Sequence, residues 1–349
     1  MRAARWHARG DVRIEDVPVP VVRAPHELVL AVEWCGICGS DLEEYRSGPI
    51  SVPVTPHPRR GSAAPIVLGH EFVGRVHTAA DDGTGPAVGT LVVPDVVLGC
   101  GECRWCLRHE EGLCETLAVR GQTEDGGLAR YAVADARTCL VVPDGVTAQQ
   151  AALVEPASVA VRAIRKLDAV IGARVAVVGG GTIGQLVARV ALAAGATVGL
   201  VVDTRASRRE LAERSGVARG LSPDEAAALV DPRAGFDAVF ECSGADGALA
   251  LAIDLTRRGG TIVALGIRAD ADRLDSTALV LTEKRILGSA AHLWDEDSAP
   301  ALNLIAEGRV LVDDLITHRI PLDEVVAGGF EMLGDPGRDV LKVLVDCRG

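Results

Sequence analysis

The chain has 349 residues, enough for two domains of ordinary size, and its formal net charge of -12 opposes binding to nucleic acid or to an anionic membrane surface. Hydrophobic residues make up 48% of the sequence but aromatic residues only 3%, which favours cores of Ala, Val, Leu and Ile in sheets covered by helices. No apolar run approaches the roughly 18 residues of a membrane-spanning helix, and the N-terminus is too polar for a signal peptide. We therefore expect a soluble cytoplasmic protein.

Residues 1–155 form the first region that the sequence distinguishes. Apolar runs such as "HELVLAVEW", "PIVLGHEFVGRV" and "LARYAVADARTCLVVP" are separated by Gly and Pro, which is the pattern of short strands joined by turns. The Pro-rich segment 51–65 predicts an exposed loop. We expect a strand-and-loop domain here.

The stretch "CGICGSDLEEYRSGPI", residues 35–50, brings two cysteines and three acidic side chains close together. These residue types indicate metal binding or proton transfer, but the stretch alone does not say which group does which. Two further motifs follow, "GHE" at 69–71 and "EP" at 155–156. A lone histidine is more often a buried, hydrogen-bonded residue than a ligand, and a glutamate at a helix start is favoured by the positive helix end.

A cysteine-rich lobe is predicted over about residues 98–116. Four thiolates this close in sequence can surround one tetrahedral zinc ion, and because they leave no open position the site would be structural. An iron–sulfur cluster is the alternative, although nothing else in the sequence indicates electron transfer. The total of nine cysteines is odd and no export signal is present, which favours reduced thiols over disulfides. The four residues of the lobe are Cys100, Cys103, Cys106 and Cys114.

Residues 156–290 change to an alternation of strand, Gly-rich turn and amphipathic helix, as in "RVAVVGGG" followed by "TIGQLVARVALAAG". Repeated units of this kind predict an α/β fold with a parallel, doubly wound sheet. One turn has GxGxxG spacing at the start of a helix, where backbone N–H groups can approach a pyrophosphate. The residues predicted to bind a dinucleotide there are Gly179, Gly181, Thr182, Ile183 and Gly184.

The next strand, "TVGLVV", ends at Asp203, about 20 residues further on, where such a site uses an acid to bind the ribose 2′-hydroxyl. A 2′-phosphate would be repelled by this carboxylate, so the sequence favours NAD over NADP. Arg205 and Arg208 temper that inference, since arginines just after the acid can accommodate a phosphate. The alternative for both arginines is a solvated helix start.

Residues 291–349 contain two helical stretches, "DEDSAPALNLIAEGR" and "PLDEVVAGGFEMLG", and a closing strand, "DVLKVLVD". A single strand cannot form a sheet of its own. We therefore expect this segment to return to the first domain.

Taken in order, "GICGSD", "GHE", the four-cysteine lobe, "EP" and "GGGTIG" resemble the zinc-dependent medium-chain dehydrogenase/reductases, an alcohol dehydrogenase family, over the whole chain. Within it, "PHP", "PIVLGHEFVG" and "LITHRIPLDEV" are most similar to 2,3-butanediol dehydrogenases, with threonine and sorbitol dehydrogenases as near relatives. The resemblance implies a Rossmann domain and a β-rich GroES-like catalytic domain. It also implies a catalytic and a structural Zn²⁺ in each subunit, NAD as cofactor, and assembly into a homodimer or homotetramer through the edge of the nucleotide-binding sheet.

The resemblance also implies roles for the residues around the catalytic zinc. Cys38 and His70 are ligands, whereas Cys35 is a small buried bystander. Glu71 and Glu155 compete as the carboxylate ligand, and one of them can instead bind the water on the metal. Two more residues complete this set: Asp41 orients His70, and Lys342 occupies the position of a basic group that reaches the cofactor pyrophosphate, with a solvated strand lysine as its alternative.

The implied reaction is oxidation of a secondary alcohol to a ketone, with hydride passing to the nicotinamide. Ser40 matches the first carrier of the released proton. The base that ends the relay, often histidine in relatives, is Glu43 here, and it is a weak base unless burial or Glu44 raises its pKa. The alternative is that Glu43 faces solvent and water is the base. The sequence departs from its relatives a second time at Arg162, a position where many of them have histidine.

These departures leave several substrates open: vicinal diols, polyols, amino alcohols and cyclitols. Arg162 would favour an anionic substrate group if it faced the substrate. An alternative function, from the class of binding proteins, is a catalytically inactive NAD-binding redox sensor of the same fold. The intact set of Cys38, Ser40 and His70 argues against it.

Overall fold

The structure, a computed structural model, describes residues 1–231, 234–268, 271 and 274–349. By its internal contacts the chain divides into two units. The first unit comprises residues 1–155, 292–306 and 312–349, and the second comprises residues 156–291 and 307–311. The chain thus leaves the first unit after Glu155 and returns to it at His292, and the short stretch 307–311, expected with the first domain, belongs to the second unit.

The N-terminal part of the first unit consists mainly of strands, in which buried and partly buried side chains can alternate, as in Tyr131–Asp135. Its strands are β1 (Arg2–Ala8), β2 (Asp11–Asp16), β3 (Glu27–Gly36), β4 (Ile66–Val67), β5 (Glu71–Thr78), β6 (Leu91–Pro94), β7 (Val97–Leu98), β8 (Ala118–Val119), β9 (Tyr131–Asp135) and β10 (Cys139–Val141). Its helices are α1 (Gly39–Ser47) and α2 (Ala148–Ala151), and α3 (Val154–Arg165) continues into the second unit.

The second unit contains a six-stranded sheet in which every pair of neighbouring strands is parallel. Its strands are β11 (Arg174–Val178), β12 (Thr197–Val202), β13 (Arg219–Leu221), β14 (Phe236–Glu241), β15 (Thr256–Ala264) and β16 (Arg285–Gly288), in the spatial order β13-β12-β11-β14-β15-β16. Its helices are α4 (Thr182–Ala193), α5 (Ala206–Arg214), α6 (Pro223–Ala227), α7 (Ala248–Leu255) and α8 (Ser276–Thr282). This sheet confirms the predicted doubly wound α/β class.

One element of this unit differs from the sequence pattern. The stretch "ADGALALAIDLTRRGG", residues 245–260, has a helical pattern, but α7 ends at Leu255 and β15 begins at Thr256. Thr256 lies opposite Phe236 on β14, and the neighbouring Arg257 forms an ion pair with Asp237 at 2.6 Å. Pairing with β14 therefore overrides the local helical pattern.

The chain returns to the first unit through a π-helical turn (Trp294–Ser298), α9 (Ala299–Ala306), β17 (Ile316–Pro321) and β18 (Lys342–Asp346). The second predicted helical stretch forms a short 3₁₀ turn (Leu322–Glu324) and a π-helical segment (Val325–Glu331). The closing strand joins the sheet of the first domain, as predicted: β18 is antiparallel to β3 and parallel to β17. Of the helices in the described residues, none is both long and apolar enough to cross a membrane.

Strand β3 is central to the sheet that positions the site. This sheet has the order β10-β6-β5-β3-β18-β17, with β9 also paired to β3. Gly36, at the end of β3, lies opposite Glu71 on β5 and Leu344 on β18. The register therefore brings the beginning of "CGICGSD", the "GHE" motif and the closing strand to one place in the fold.

Candidate active site

A group of three side chains lies where β3, β5 and α1 meet. One ligand atom each of Cys38, His70 and Glu71 lies within 4.8 Å of the others. A sulfur, an imidazole nitrogen and a carboxylate oxygen are the kinds of donor that bind catalytic zinc in proteins. These residues therefore fit a zinc ion. The resemblance had implied Cys38 and His70 as ligands, with Glu71 or Glu155 as the carboxylate.

Asp41 connects the start of α1 to this group. One carboxylate oxygen, Oδ2, accepts the backbone N–H of Cys38 at 2.9 Å, and the other, Oδ1, lies 3.4 Å from His70 Nδ1. Burial alone lowers the pKa of His70, but Asp41 and Cys38 raise it well above its ordinary value. The carboxylate thus faces one ring nitrogen of His70 and leaves Nε2 on the side of the metal group, an arrangement that the role predicted for Asp41 requires.

Lys342 has a different environment from the one its predicted role requires. Its Nζ lies 2.6 and 2.8 Å from the two carboxylate oxygens of Glu71 and donates to the carbonyl of Ile37 at 3.0 Å. Lys342 and Glu71 are both buried. Burial lowers the pKa of Lys342, but Glu71 and Cys38 raise it overall, so the amine is held in its charged form. The structure thus uses Lys342 to neutralise Glu71, and its contact with a cofactor pyrophosphate stays a prediction that these contacts do not support.

Two glycines, Gly36 and Gly69, leave room for the side chains of Glu71 and Cys35. A Cβ atom at Gly36 would lie 2.1 Å from Glu71 Oε2. Gly69 has φ +93°, and a Cβ there would lie 2.6 Å from the Sγ of Cys35. Cys35 is completely buried, and burial raises the pKa of its thiol well above the usual range. Its packing against Gly69 matches the predicted role of a bystander.

Glu155 lies at the start of α3 and is not part of the group formed by Cys38, His70 and Glu71 among the described residues. Burial raises the pKa of Glu155 to about 7, and Glu71 adds to this effect while His70 and Lys342 oppose it. Its Oε1 lies 3.9 Å from Nδ1 of His292, whose Nε2 lies 3.6 Å from Asp95. Which of Glu71 and Glu155 binds the metal directly remains a proposal, and the grouping favours Glu71.

Ser40 stands next to His70 and to a side chain that the sequence patterns did not single out. Its Oγ lies 3.3 Å from His70 Nε2 and accepts a hydrogen bond from Gln122 Nε2 at 3.1 Å. Glu43 is exposed on α1, and no hydrogen bond in the described part of the chain links it to Ser40. Glu44 is buried and accepts backbone N–H groups of residues 50–52, so it stabilises the loop after α1.

The four cysteines of the lobe lie within 4.8 Å of one another at their sulfur atoms. The distance between Sγ atoms is 3.9 Å for Cys100 and Cys106 and 3.6 Å for Cys103 and Cys106. Four sulfurs about 2.3 Å from one tetrahedral zinc ion would be about 3.8 Å apart, so Cys100, Cys103, Cys106 and Cys114 fit a structural zinc. Backbone N–H groups, first that of Cys106, lower the pKa of Cys103 to about 6, which favours the thiolate that a metal binds.

Part of the predicted exposed loop 51–65 packs on this lobe. Arg59 donates to the carbonyl of Cys100 at 2.7 Å and forms an ion pair with Glu102 at 2.7 Å. On the far side of the lobe, His109 contacts Asp295 at 2.8 Å. The lobe is thereby joined to two other segments of the first unit.

In the second unit, the GxGxxG turn has the geometry that the motif predicts. Gly179 has φ +100°, and a Cβ at Gly184 would lie 1.7 Å from the carbonyl oxygen of Gly179. Helix α4 begins at Thr182, followed by Ile183, with Gly181 as its cap. The open backbone of the turn and the helix start together fit the pyrophosphate of a dinucleotide.

Asp203 is buried at the end of β12 and already has protein partners. Its Oδ2 accepts the N–H of Gly180 at 2.8 Å and lies 3.4 Å from Nη1 of Arg208, while Oδ1 accepts the N–H of Arg205 at 2.8 Å. Arg208 Nη1 would lie 3.8 Å from a Cβ at Gly181, so the guanidinium borders the glycine turn. The carboxylate and Arg208 therefore form a pair at the place where the two cofactors differ.

Sequence reasoning missed three residues near the site, which are Gln122, Asp95 and His292, and it also missed the pairing of Lys342 with Glu71. The signal for Gln122 was weak, a polar residue in the glycine-containing stretch "RGQTEDGG". Arg162 lies on α3 and is partly buried, and its role toward a substrate stays a prediction.

Comparisons with known proteins cover both units. Residues 24–144 match the alcohol dehydrogenase GroES-like domain, and residues 182–307 match the zinc-binding dehydrogenase family. The chain is 34% identical over 339 residues to the (R,R)-butanediol dehydrogenase of Bacillus subtilis (strain 168), covering 95% of this chain and 96% of that protein. It is 32% identical over 351 residues to sorbitol dehydrogenase 1 of Saccharomyces cerevisiae (strain ATCC 204508 / S288c), covering 96% and 95%.

Among solved structures, the chain is similar to the crystal structure of 2R,3R-butanediol dehydrogenase from Bacillus subtilis, with a TM-score of 0.90, 33% identity and coverage of 99% of each chain. These similarities confirm the resemblance that the motifs indicated and the predicted fold class.

Proposed function

Because the chain belongs to the zinc-binding dehydrogenases of the alcohol dehydrogenase type, a family of oxidoreductases, we propose that it interconverts a secondary alcohol and its ketone with NAD. The proposed substrates are vicinal diols, polyols, amino alcohols or cyclitols. The observation that carries the proposal is the group of Cys38, His70 and Glu71, with Ser40 Oγ 3.3 Å from His70 Nε2. A zinc ion held by this group supplies a Lewis acid that lowers the pKa of the alcohol, and NAD supplies the hydride acceptor.

The chain's own residues then bind, orient and move a proton. Asp41 faces Nδ1 of His70 and so directs Nε2 toward the metal position. Lys342 compensates the charge of Glu71, which keeps the local charge balanced when a carboxylate and a thiolate lie together. Ser40 receives the proton of the substrate hydroxyl. Glu43 ends the proposed relay, or contacts a polar group of the substrate.

The proposed preference for NAD is supported by Asp203. A 2′-phosphate placed beside this carboxylate would be repelled, whereas a ribose hydroxyl could donate to it. Arg208 lies 3.4 Å from the same carboxylate and is the group that would weaken the preference. We propose NAD as the preferred cofactor because two backbone N–H groups hold the carboxylate of Asp203. The carboxylate cannot turn away from the ribose position without losing these two hydrogen bonds.

We further propose that the protein is a homodimer or homotetramer that assembles through the edge of the parallel sheet. Strand β16 is the last strand of that sheet. Nearby helix α8 exposes Val280 and Leu281, which are 72% and 70% accessible. Exposed apolar side chains in a segment that leads into an edge strand favour a protein partner.

The proposal is tested by following reduction of NAD and of NADP with a panel of vicinal diols, polyols, amino alcohols and cyclitols. We expect turnover with at least one class, loss of activity on chelation with recovery on adding zinc, and a preference for NAD of about tenfold or more. Zinc-loaded protein that binds NAD but reduces it with none of these alcohols would instead support the redox-sensor alternative.

A further inference from the structure

The loop of residues 120–127 is held directly against the turn that carries His70. The N–H of Gly127 donates to the carbonyl of Gly69 at 2.8 Å, and that of Gly126 donates to the carbonyl of Val67 at 2.9 Å. A Cβ at Gly121 would lie 2.1 Å from the Gly69 oxygen, and one at Gly126 would lie 2.2 Å from it. Backbone thus packs on backbone, so the loop keeps a defined position relative to His70.

The outer part of this loop is also anchored. Thr123 donates its N–H to the carbonyl of Val119 at 2.8 Å, and its Oγ1 accepts the N–H of Val119 at 2.7 Å. Ser62 donates to the carbonyl of Thr123 at 2.5 Å. Gln122, between these anchored positions, is therefore held with its side chain over Ser40.

The contact of Gln122 with Ser40 constrains the serine hydroxyl. Because Gln122 Nε2 donates to Ser40 Oγ, the serine oxygen is already an acceptor on one side. On another side lies Nε2 of His70, whose lone pair would be used by a bound metal ion. These two contacts leave one lone pair and the hydroxyl hydrogen of Ser40 available to other groups, such as a substrate oxygen.

Gln122 also has hydrogen-bonding capacity left after this contact. A primary amide has two N–H donors and a carbonyl oxygen with two lone pairs, and only one donor is used by Ser40. Neighbouring oxygens of a vicinal diol lie roughly as far apart as two hydrogen-bonded oxygens. The 3.1 Å between Ser40 Oγ and Gln122 Nε2 matches that separation. The two protein groups can therefore meet two adjacent substrate oxygens at once.

We propose that Gln122 is a specificity-determining residue that binds the hydroxyl group next to the reacting carbon. The inference rests on the proposed function and assigns part of its substrate preference to one side chain. A neutral amide, which both donates and accepts, suits a hydroxyl group, whereas an ammonium group would be better matched by a free carboxylate. The proposal therefore favours vicinal diols and polyols over amino alcohols.

The test compares wild type, Gln122→Met and Thr123→Val, all zinc-loaded, on 2,3-butanediol and on 2-butanol, which lacks the neighbouring hydroxyl. Methionine keeps the length of the side chain but removes its hydrogen bonds. We expect the ratio of kcat/KM for the diol over the mono-alcohol to fall about tenfold in Gln122→Met, mainly through KM. In Thr123→Val, which loosens the same loop without touching Ser40, we expect the ratio to stay within about twofold.

Two outcomes would overturn the proposal: an unchanged ratio in Gln122→Met, or an equal fall of the ratio in Thr123→Val. Binding of the two alcohols to the zinc-loaded protein with NADH, which cannot accept a hydride, is measured by calorimetry and provides a readout that does not depend on turnover. If wild type reduces no cofactor with any alcohol, the proposed function fails. Loss of the diol preference in binding by Gln122→Met would still support the assignment of Gln122, and equal binding of both alcohols by wild type would reject it.

Discussion

Gly36 shows at the scale of one residue how the metal group depends on a missing side chain. Glu71 Oε2 occupies the space where a Cβ of residue 36 would be, at 2.1 Å. The carboxylate cannot swing aside cheaply, because it is buried and Lys342 binds both of its oxygens. The glycine therefore acts on the site through Glu71, although it binds no metal itself.

We expect Gly36→Ala to weaken zinc binding at the catalytic group by about tenfold or more, because the methyl group displaces Glu71. The measurement is competition for zinc with a chromophoric chelator. The matched control is Gly39→Ala in the same motif, since a Cβ at Gly39 meets nothing within 4 Å. The control should bind zinc as wild type does and change stability by less than about 1 kcal/mol. Equal zinc affinity in the two variants would contradict this account.

At the scale of elements, the connection between β6 and β7 holds a buried acid. Asp95 Oδ1 accepts the N–H of Val97 at 3.0 Å and lies 3.6 Å from Nε2 of His292. Burial raises the pKa of Asp95 from 3.8 to about 7, although the N–H of Val97 and, more weakly, Arg120 oppose the rise and Glu111 adds to it. The folded protein therefore binds the proton of Asp95 more tightly than the unfolded chain does.

This difference predicts a pH-dependent stability. Between about pH 4 and pH 7 the unfolded chain has already released the proton, so the contribution of Asp95 becomes less favourable as pH rises and is constant above about pH 7. Asp95→Asn keeps the acceptor for Val97 and removes the titration. We expect the variant to gain stability relative to wild type over this range, by at most about 4 kcal/mol. Urea unfolding across this pH range measures it, and parallel profiles would reject it.

At the scale of the whole molecule, the edge of the parallel sheet is the candidate for assembly. Exposed Val280 and Leu281 on α8 lie in a segment that leads into edge strand β16. A charged residue at either position would have to be desolvated in an interface between two copies, at a cost of several kcal/mol.

We therefore expect wild type to have the mass of a dimer or tetramer in light scattering and Val280→Glu to shift it toward a smaller species. Val88→Glu serves as the control, because Val88 is 65% accessible but lies in the first unit. A monomeric wild type, or an identical shift in both variants, would argue against assembly through this edge.

The sequence could predict those features of this protein that depend on residues close together in the chain. The GxGxxG turn, the four-cysteine lobe and the alternation of strands and helices are local patterns, because spacing and period encode them within a few dozen residues. They were sufficient for the fold class, and the order of motifs along the chain was sufficient for the family, through which Cys38 and His70 were predicted as metal ligands. The return of the last strand to the first domain also followed, since a lone strand needs a sheet.

The tertiary structure decided the contacts between residues far apart in the chain. Lys342 and Glu71 are 271 positions apart, and Gln122 and Ser40 are 82 positions apart. Whether such side chains meet depends on strand register, on which sheet neighbours a strand acquires and on the close packing of Gly36, Gly69 and Gly121. A lysine on a closing strand is equally compatible with solvent, a cofactor or a buried carboxylate until β18 is placed beside β3. The sequence by itself thus determined the kind of chemistry, and only the packed strands decided which charges are paired and which polar side chain contacts Ser40.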